Sequence, residues 1–284
     1  MDRRLESLLA ICKTGSYHAA ADELYLSQPA LTKQIKSLEE EYHTKLLHYD
    51  GKCVRATPKG ELLRQYAASA AYNEKEIKKA LDMPETMHIR IGATKTIGDY
   101  VLLPFIRKFL EDNKHRLSFT VDNTEHLFRM LDGNELDFLI VEGLFDKQKY
   151  ENCIFRKEPF VGICAPDHPF RNREISLEEL LQEELILREP GSGTRNIFEQ
   201  ALWNLGYSIN AFPRATEISS FKLIRRLIAE GGAVSFAYRA VAEEQPELGT
   251  FTCRNITDIH EFSVAWLKGT NAKIYADIFL KLEN

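Results

Sequence analysis

The sequence predicts an α/β chain of two unequal parts: a compact helical module closed by a β-hairpin, a long linking helix, and a larger half built of two α/β lobes. Three observations carry this reading. Helix caps and a hairpin signal crowd the first sixty or so residues, an unbroken helical pattern runs from Lys59 to about Leu81, and strands then alternate with helices to the end. A length of 284 residues suits about two domains.

Hydrophobic residues make up 44% and charged residues 28%, enough to fill cores beneath a charged surface. The longest apolar stretches, such as Val101 to Phe109, are interrupted by Pro104, Arg107 and Lys108, so no membrane span is expected. The N-terminus lacks the apolar core of an export signal. Five scattered cysteines without a Cys-x-x-Cys pair argue against a disulfide framework or a zinc site. They suit a reducing cytoplasm, as buried or incidental thiols. The histidines have no metal spacing, and neither a metal nor a cofactor is expected. Net charge is −5, and residues 1–60 hold nine Lys/Arg against eight Asp/Glu. Any attraction to phosphate must therefore come from where the basic groups fall.

Leu5, Leu8, Leu9 and Cys12 give a first helix one apolar face, which Gly15 ends. Ser16 caps a second helix, Tyr17 to about Tyr25, whose Ala19, Ala20 and Ala21 let a neighbour approach closely. After Leu26, Ser27 is the next N-cap, and Pro29 falls in the first turn, where its missing N–H is harmless. The third helix, Gln28 to about Tyr42, buries Leu31, Ile35 and Leu38 and turns Gln28, Thr32, Lys33 and Lys36 outward. Charge pattern alone would make this an ordinary solvated face. The tight turn before it and the element after it favour a helix that reads base edges in a major groove. Leu46 to Tyr49, Asp50-Gly51 and Lys52 to Arg55 read as a hairpin with a two-residue turn, a wing whose Lys52 and Arg55 could grip phosphates. Thr57-Pro58 caps a fourth helix.

Gly15-Ser16-Tyr17-His18-Ala19-Ala20-Ala21, Leu26 to Ile35, Leu38-Glu39 and Thr57-Pro58-Lys59-Gly60 closely resemble the winged helix-turn-helix of LysR-type regulators. The resemblance implies a transcription regulator in which Ser27, Gln28, Pro29, Ala30, Thr32, Lys33, Lys36, Lys52 and Arg55 face DNA. It departs from the family at the wing. Leu46-Leu47-His48-Tyr49 stands in place of Leu-Phe-x-Arg, and Lys52-Cys53 in place of a basic pair, which implies weaker or shifted wing contacts.

Along the linking helix, Leu63, Tyr66, Ala70, Asn73, Ile77 and Ala80 form a heptad-like seam, to be buried either on a second copy or on its own domain. The resemblance favours a dimer through this helix and a dimer of dimers beyond it, with RNA polymerase as a further partner. Asp82-Met83-Pro84-Glu85 marks the boundary. The expected division is residues 1–58, 59–84 and 85–284, the last with lobe I at about 87–160 and 266–284 and lobe II at about 161–265.

In the larger half, strands are expected at His88–Gly92, Leu117–Val121, Leu136–Val141, Phe160–Ala165, Leu185–Leu187, Ala233–Ala237 and His260–Leu267. Helices are expected up to Leu110 and Leu131, from Ser176 with a capping box to Glu179, from Thr194, from Ile218 and from Lys273. Such alternation implies a parallel sheet covered on both faces. The half resembles the periplasmic-binding-protein architecture, with ligand between the lobes. Strand ends and helix starts place Thr94, Lys95, Thr96, Asn123, Thr124, Ser192, Gly193 and Thr194 at the cleft, with Ser235 and Phe236 within reach. Thr94, Thr96 and Thr194 can equally be N-caps, and Gly231-Gly232 reads as a helix stop. A glycine-flanked helix start favours negative charge, so a small anion or carboxylate is the expected effector. Pro190-Gly191-Ser192-Gly193-Thr194-Arg195 also resembles the sulfur- and carbon-assimilation branch of the family, whose effectors are small and often anionic.

An enzyme is the main rival, yet no phosphate loop ending in Gly-Lys-Ser/Thr, nucleophile elbow or His-Glu-x-x-His pair appears. A secreted solute-binding protein would explain the lobes but not the helix-turn-helix.

Overall fold

The computed structural model describes residues 1–82, 87–111, 116–143, 145–243 and 248–283. The N-terminal module comprises α1 (Arg3–Thr14), α2 (Tyr17–Glu23), α3 (Gln28–Glu41), β1 (Leu47–Tyr49) and β2 (Val54–Ala56). Local signals set its boundaries. Gly15 caps α1 in the left-handed conformation, and Ser16 and Ser27 accept from the N–H groups of Ala19 and Ala30. Leu8, Ile11, Ala20, Ala21, Leu31, Ile35 and Leu38 make one core. The wing differs from expectation. Tyr49 pairs with Val54, so residues 50–53 form the loop, and Lys52 lies at its tip rather than in a strand. The reason is Asp50, whose Oδ1 accepts from the N–H groups of Lys52 and Cys53, both at 2.9 Å.

The linking helix α4 (Pro58–Asp82) begins where Thr57 Oγ1 accepts from Gly60 N at 3.0 Å. A Cβ on Gly60 would stand 1.9 Å from the Leu46 carbonyl oxygen, so the start of the helix reaches this backbone only because that residue is glycine. The expected seam is divided. Leu63 packs on the N-terminal core and Asn73 bonds Gly269 and Asn271, while Tyr66 and Ile77 stay exposed in a stripe with Leu62 and Leu81. The side chain of Ala80 and the boundary residues Met83-Pro84-Glu85 lie outside the described residues. The opposite face of α4 packs on its own chain: Tyr72 Oη donates to Asp137 Oδ1 at 2.9 Å, and Tyr275 Oη donates to Glu76 Oε2 at 2.6 Å. Arg90 completes this buried joint through Asp137 and the Asn134 carbonyl.

The larger half runs β3 (His88–Thr94), α5 (Lys95–Tyr100), α6 (Leu103–Leu110), β4 (Arg116–Asp122), α7 (Thr124–Asp132), β5 (Phe138–Glu142), β6 (Tyr150–Cys164), β7 (Glu174–Ile175), α8 (Leu177–Leu180), β8 (Leu185–Leu187), α9 (Gly193–Asn204), β9 (Ala215–Glu217), α10 (Phe221–Ala229), β10 (Ser235–Tyr238), α11 (Arg239–Glu243), β11 (Gly249–Cys253), β12 (Ile259–Leu267) and α12 (Ala272–Leu280). The principal sheet is mixed rather than parallel: β3 is parallel to β4 and β5, whereas β12 is antiparallel to β5 and β6. The single expected helix to Leu110 is broken, with Pro104 in the first turn of α6, and α10 starts at Phe221 behind its cap Ser220 rather than at Ile218. The capping box of Ser176 and Glu179 is present.

One strand joins the lobes. The first part of β6 pairs with β12 up to Pro159, and its last residues pair with β10 and β11. Because β12 belongs to the lobe I sheet from Ile259 onward, the chain returns to that lobe earlier than about residue 266. The lobe crossing thus lies at Glu158–Phe160, and the ends of β3 and β5 face the start of α9.

Candidate functional site

Two regions gather the polar groups singled out by the sequence. On the first, α3 sits on α1 through Leu31, Ile35 and Leu38, and Ser27, Gln28, Pro29, Thr32, Lys33 and Lys36 are exposed, with Ala30 half-buried. Thr32 Oγ1 donates back to the Gln28 carbonyl at 2.9 Å, which leaves its methyl and a lone pair outward. Lys36 has a loose i,i+4 pairing with Glu40 at 3.8 Å, and Lys33 has no acidic partner among the described residues. Lys52 and Arg55 are also exposed, but Arg55 is held by the Asp50 carboxylate. The loop N–H groups of Cys53 and Lys52, and then the Arg55 guanidinium, keep the Asp50 carboxyl far below the usual range. The sequence reading missed Glu39, which accepts from Leu46 N at 2.9 Å and from Lys45 Nζ at 2.6 Å and so fixes the wing against α3.

The second region lies between the lobes. Thr94 ends β3 and occupies the N-cap position of α5, yet its hydroxyl makes no cap; it donates to Glu142 Oε2. Thr194, in the first turn of α9, lies 3.4 Å from Glu142 Oε1 and 3.4 Å from Thr96 Oγ1. Ser192 is the N-cap residue of α9 without a side-chain cap bond. Cap duty therefore does not explain these four hydroxyls. A Cβ on Gly193 would stand 2.8 Å from the Glu142 carbonyl oxygen, so the backbone of α9 meets the end of β5 only because that residue is glycine. Lys95 Nζ bridges the cleft to Glu189 Oε1 at 3.1 Å, while Arg188 holds the same carboxylate and lies 4.4 Å over the Phe221 ring.

Glu142 was not anticipated, and it sits at the centre. It is 2% exposed, and burial pushes its carboxyl above the usual range against the hydroxyls and the Arg188 charge. Three expected contacts fall elsewhere. Asn123 caps α7, accepting from His126 N at 2.8 Å. Ser235 donates to the Ile186 carbonyl at 2.7 Å, and Phe236 stacks on Phe198 at 4.5 Å, so both belong to the lobe II core rather than to the cleft. Their positions after a glycine pair suggested reach, but Gly231 and Gly232, both at positive φ, merely end α10. A cavity of about 350 Å³ lies away from this chemistry, at the foot of α4 between Tyr42, Leu46, Leu62 and Tyr66. Its apolar lining continues the exposed stripe of α4 and suits helix packing better than a polar guest. Burial raises the thiols of Cys12, Cys164 and Cys253 to about 11, which keeps them protonated and unreactive near neutrality.

A helix-turn-helix with a wing, joined by a long helix to a two-lobed α/β half with converging polar groups, defines a regulator class that couples a DNA-reading module to a ligand-binding one. Residues 3–61 match the family described as bacterial regulatory helix-turn-helix protein, lysR family, and residues 84–281 match the LysR substrate binding domain. The chain belongs to the LysR family of transcriptional regulators. It is 27% identical to the RuBisCO operon transcriptional regulator of Allochromatium vinosum, over 98% of this chain and 93% of that one. It is 28% identical to the transcriptional regulator CysL of Bacillus subtilis, over 84% and 80% of the two chains. A full-length OxyR variant from Pseudomonas aeruginosa shares the fold, with a TM-score of 0.63 at 21% identity over 98% of this chain and 93% of that chain. Among the described residues no helix is long and apolar enough to cross a membrane.

Proposed function

We propose that this regulator works in the cytoplasm as a homo-oligomer that reads a DNA dyad through α3 and the wing, and that a small anion bound between the lobes controls it. The observation that carries the DNA reading is the two-sided character of α3. Leu31, Ile35 and Leu38 anchor it, while Gln28, Lys33 and Lys36 face outward beside an exposed wing. Gln suits adenine edges, and an unpaired Lys suits guanine edges or phosphate. The exposed stripe of Leu62, Tyr66, Ile77 and Leu81 supports pairing of two α4 helices, which would space two such readers. For the effector, Lys95, the α9 start and the hydroxyls of Ser192 and Thr194 supply donors, and the Thr124 hydroxyl is buried without a partner. Effector-driven lobe movement would then alter the spacing of the readers and so the bend or occupancy of DNA, and RNA polymerase would sense the result.

Selection of binding sites from random duplex DNA followed by footprinting, with wild type and Lys33→Ala, tests this reading. The expected outcome is a protected dyad in the wild type and a loss of about 1–3 kcal/mol of specific binding in the variant. Equal protection by both proteins would remove α3 from the role given to it.

A further inference from the structure

The cleft already contains a carboxylate where an anion would be seated. Glu142 closes the end of β5, and its two oxygens take contacts from Thr94 in lobe I and Thr194 in lobe II. One hydroxyl nearby is buried with no hydrogen-bond partner: Thr124 Oγ1, which would lie 3.4 Å from a Cβ on Gly193 and is available to a guest.

The charges around this seat are few. Lys95 comes from the start of α5, and Arg188 and Glu189 follow β8. Glu158, on β6 at the lobe crossing, is occupied by Arg156 and by the N–H of Ala240 at 3.0 Å. Asp122, at the end of β4, is paired with His126 at 2.5 Å. Glu125 faces the same loop, its Oε2 3.7 Å from where a Cβ on Gly191 would stand. With Glu142 ionised, Lys95 and Arg188 are outnumbered by the carboxylates of Glu142, Glu189, Glu125 and Asp122, and protonating Glu142 removes one of those negative charges. Two anions sharing a buried site cannot both stay ionised, and burial already favours the neutral acid.

We infer that a small anion enters the interlobe seat together with one proton, which Glu142 takes up from solvent, so that its carboxyl turns from acceptor of the threonine hydroxyls to donor toward the guest. The step adds one proton and one anion to the protein and breaks no covalent bond. It rests on the reading of an anionic effector given above and makes the response depend on pH: the regulator would register anion and acidity jointly.

Titration calorimetry on the full chain with sulfate and with glycolate tests this, since both probes keep a fixed charge between about pH 5 and 8. In two buffers of different ionisation heat, the wild type should take up one proton per anion bound above the Glu142 pKa, and none below it. Its affinity should fall about tenfold per pH unit above the Glu142 pKa. Glu142→Gln, a permanently neutral mimic, should bind at least as tightly as the wild type in acid and show no such slope. Anion binding by the wild type with neither proton uptake nor a fall in affinity anywhere between about pH 5 and 8 would overturn the coupling and leave the anionic effector standing. Binding of neither probe by either protein at any pH would overturn both. The proton count comes from the wild type alone, so a poorly folded variant would not rescue the idea.

Discussion

The DNA-reading face and the interlobe seat use similar polar residues in opposite ways. On α3, Gln28, Thr32, Lys33 and Lys36 stand exposed above an apolar anchor. Between the lobes, Thr94, Thr96, Glu142, Arg188 and Thr194 are all buried and engage one another or their neighbours. A surface that meets a large, preformed partner can leave its donors to water until contact. A seat that closes with its lobes cannot, because a buried group without a partner costs about 1–3 kcal/mol. Contact with DNA is thus an addition, whereas a guest between the lobes must exchange partners with Glu142 and its engaged neighbours and finds only the Thr124 hydroxyl unpaired.

The largest expected difference between the regions comes from one hydroxyl. Thr194→Val keeps the side-chain shape but removes the group lying between Glu142 and Thr96. It should cost about 1–3 kcal/mol in denaturant unfolding of the effector half, while Lys33→Ala should stay within about 0.5 kcal/mol. A neutral Thr194→Val would break the contrast, since the seat would then have no internal network to lose. Acidity should separate the regions further. The folded Glu142 carboxyl titrates above its ordinary value of 4.5, so the native state binds more protons than the unfolded chain between that value and the raised one. The contribution of Glu142 to stability should therefore be fullest below 4.5 and be lost as pH rises through this window. Comparing melting curves of wild type and Glu142→Gln across this range checks it. A difference between the two proteins that stays constant with pH would place no titration at Glu142.

The same contrast governs how much could be read in advance. The N-terminal module was legible because its signals are local: Gly15 stops α1, Ser16 and Ser27 cap the next two helices, and an apolar stripe faces inward on α3. Asp50-Gly51 announced the wing's hairpin, but the longer loop inside it depends on Asp50 capturing two N–H groups, which the dipeptide does not announce. The seat was half legible. Helix starts and strand ends pointed to Thr94, Lys95, Thr96, Thr124 and Thr194, but Glu142 follows the apolar run Phe138-Leu139-Ile140-Val141 and its threonine partners lie 48 and 52 residues away. The available signal was a charged residue closing a buried strand just before Gly143. Long β6 was seen only in its last part, because Glu151, Lys157 and Glu158 disguise a strand that spans both lobes.

The smallest predicted effect tests whether the wing truly belongs with the exposed, additive region. Arg55 departs from the pattern on α3 because it is already paired, with Asp50, which also organises the loop through the N–H groups of Lys52 and Cys53. Asp50→Asn keeps a carbonyl oxygen for those two N–H groups and removes the charge that holds the guanidinium. The fold should be unchanged, and Arg55 should become free to meet a phosphate beside Lys52. Non-specific DNA affinity should then rise, and the fall of log K with log salt should steepen by about 1, the share of one added phosphate contact. Filter or fluorescence binding across a salt series reads this directly. An unchanged slope would mean that Arg55 either meets phosphate while still paired or never reaches it. In either case the Asp50 contact would not limit the grip on DNA, and in the second that grip would fall to Lys52 at the wing tip and to α3.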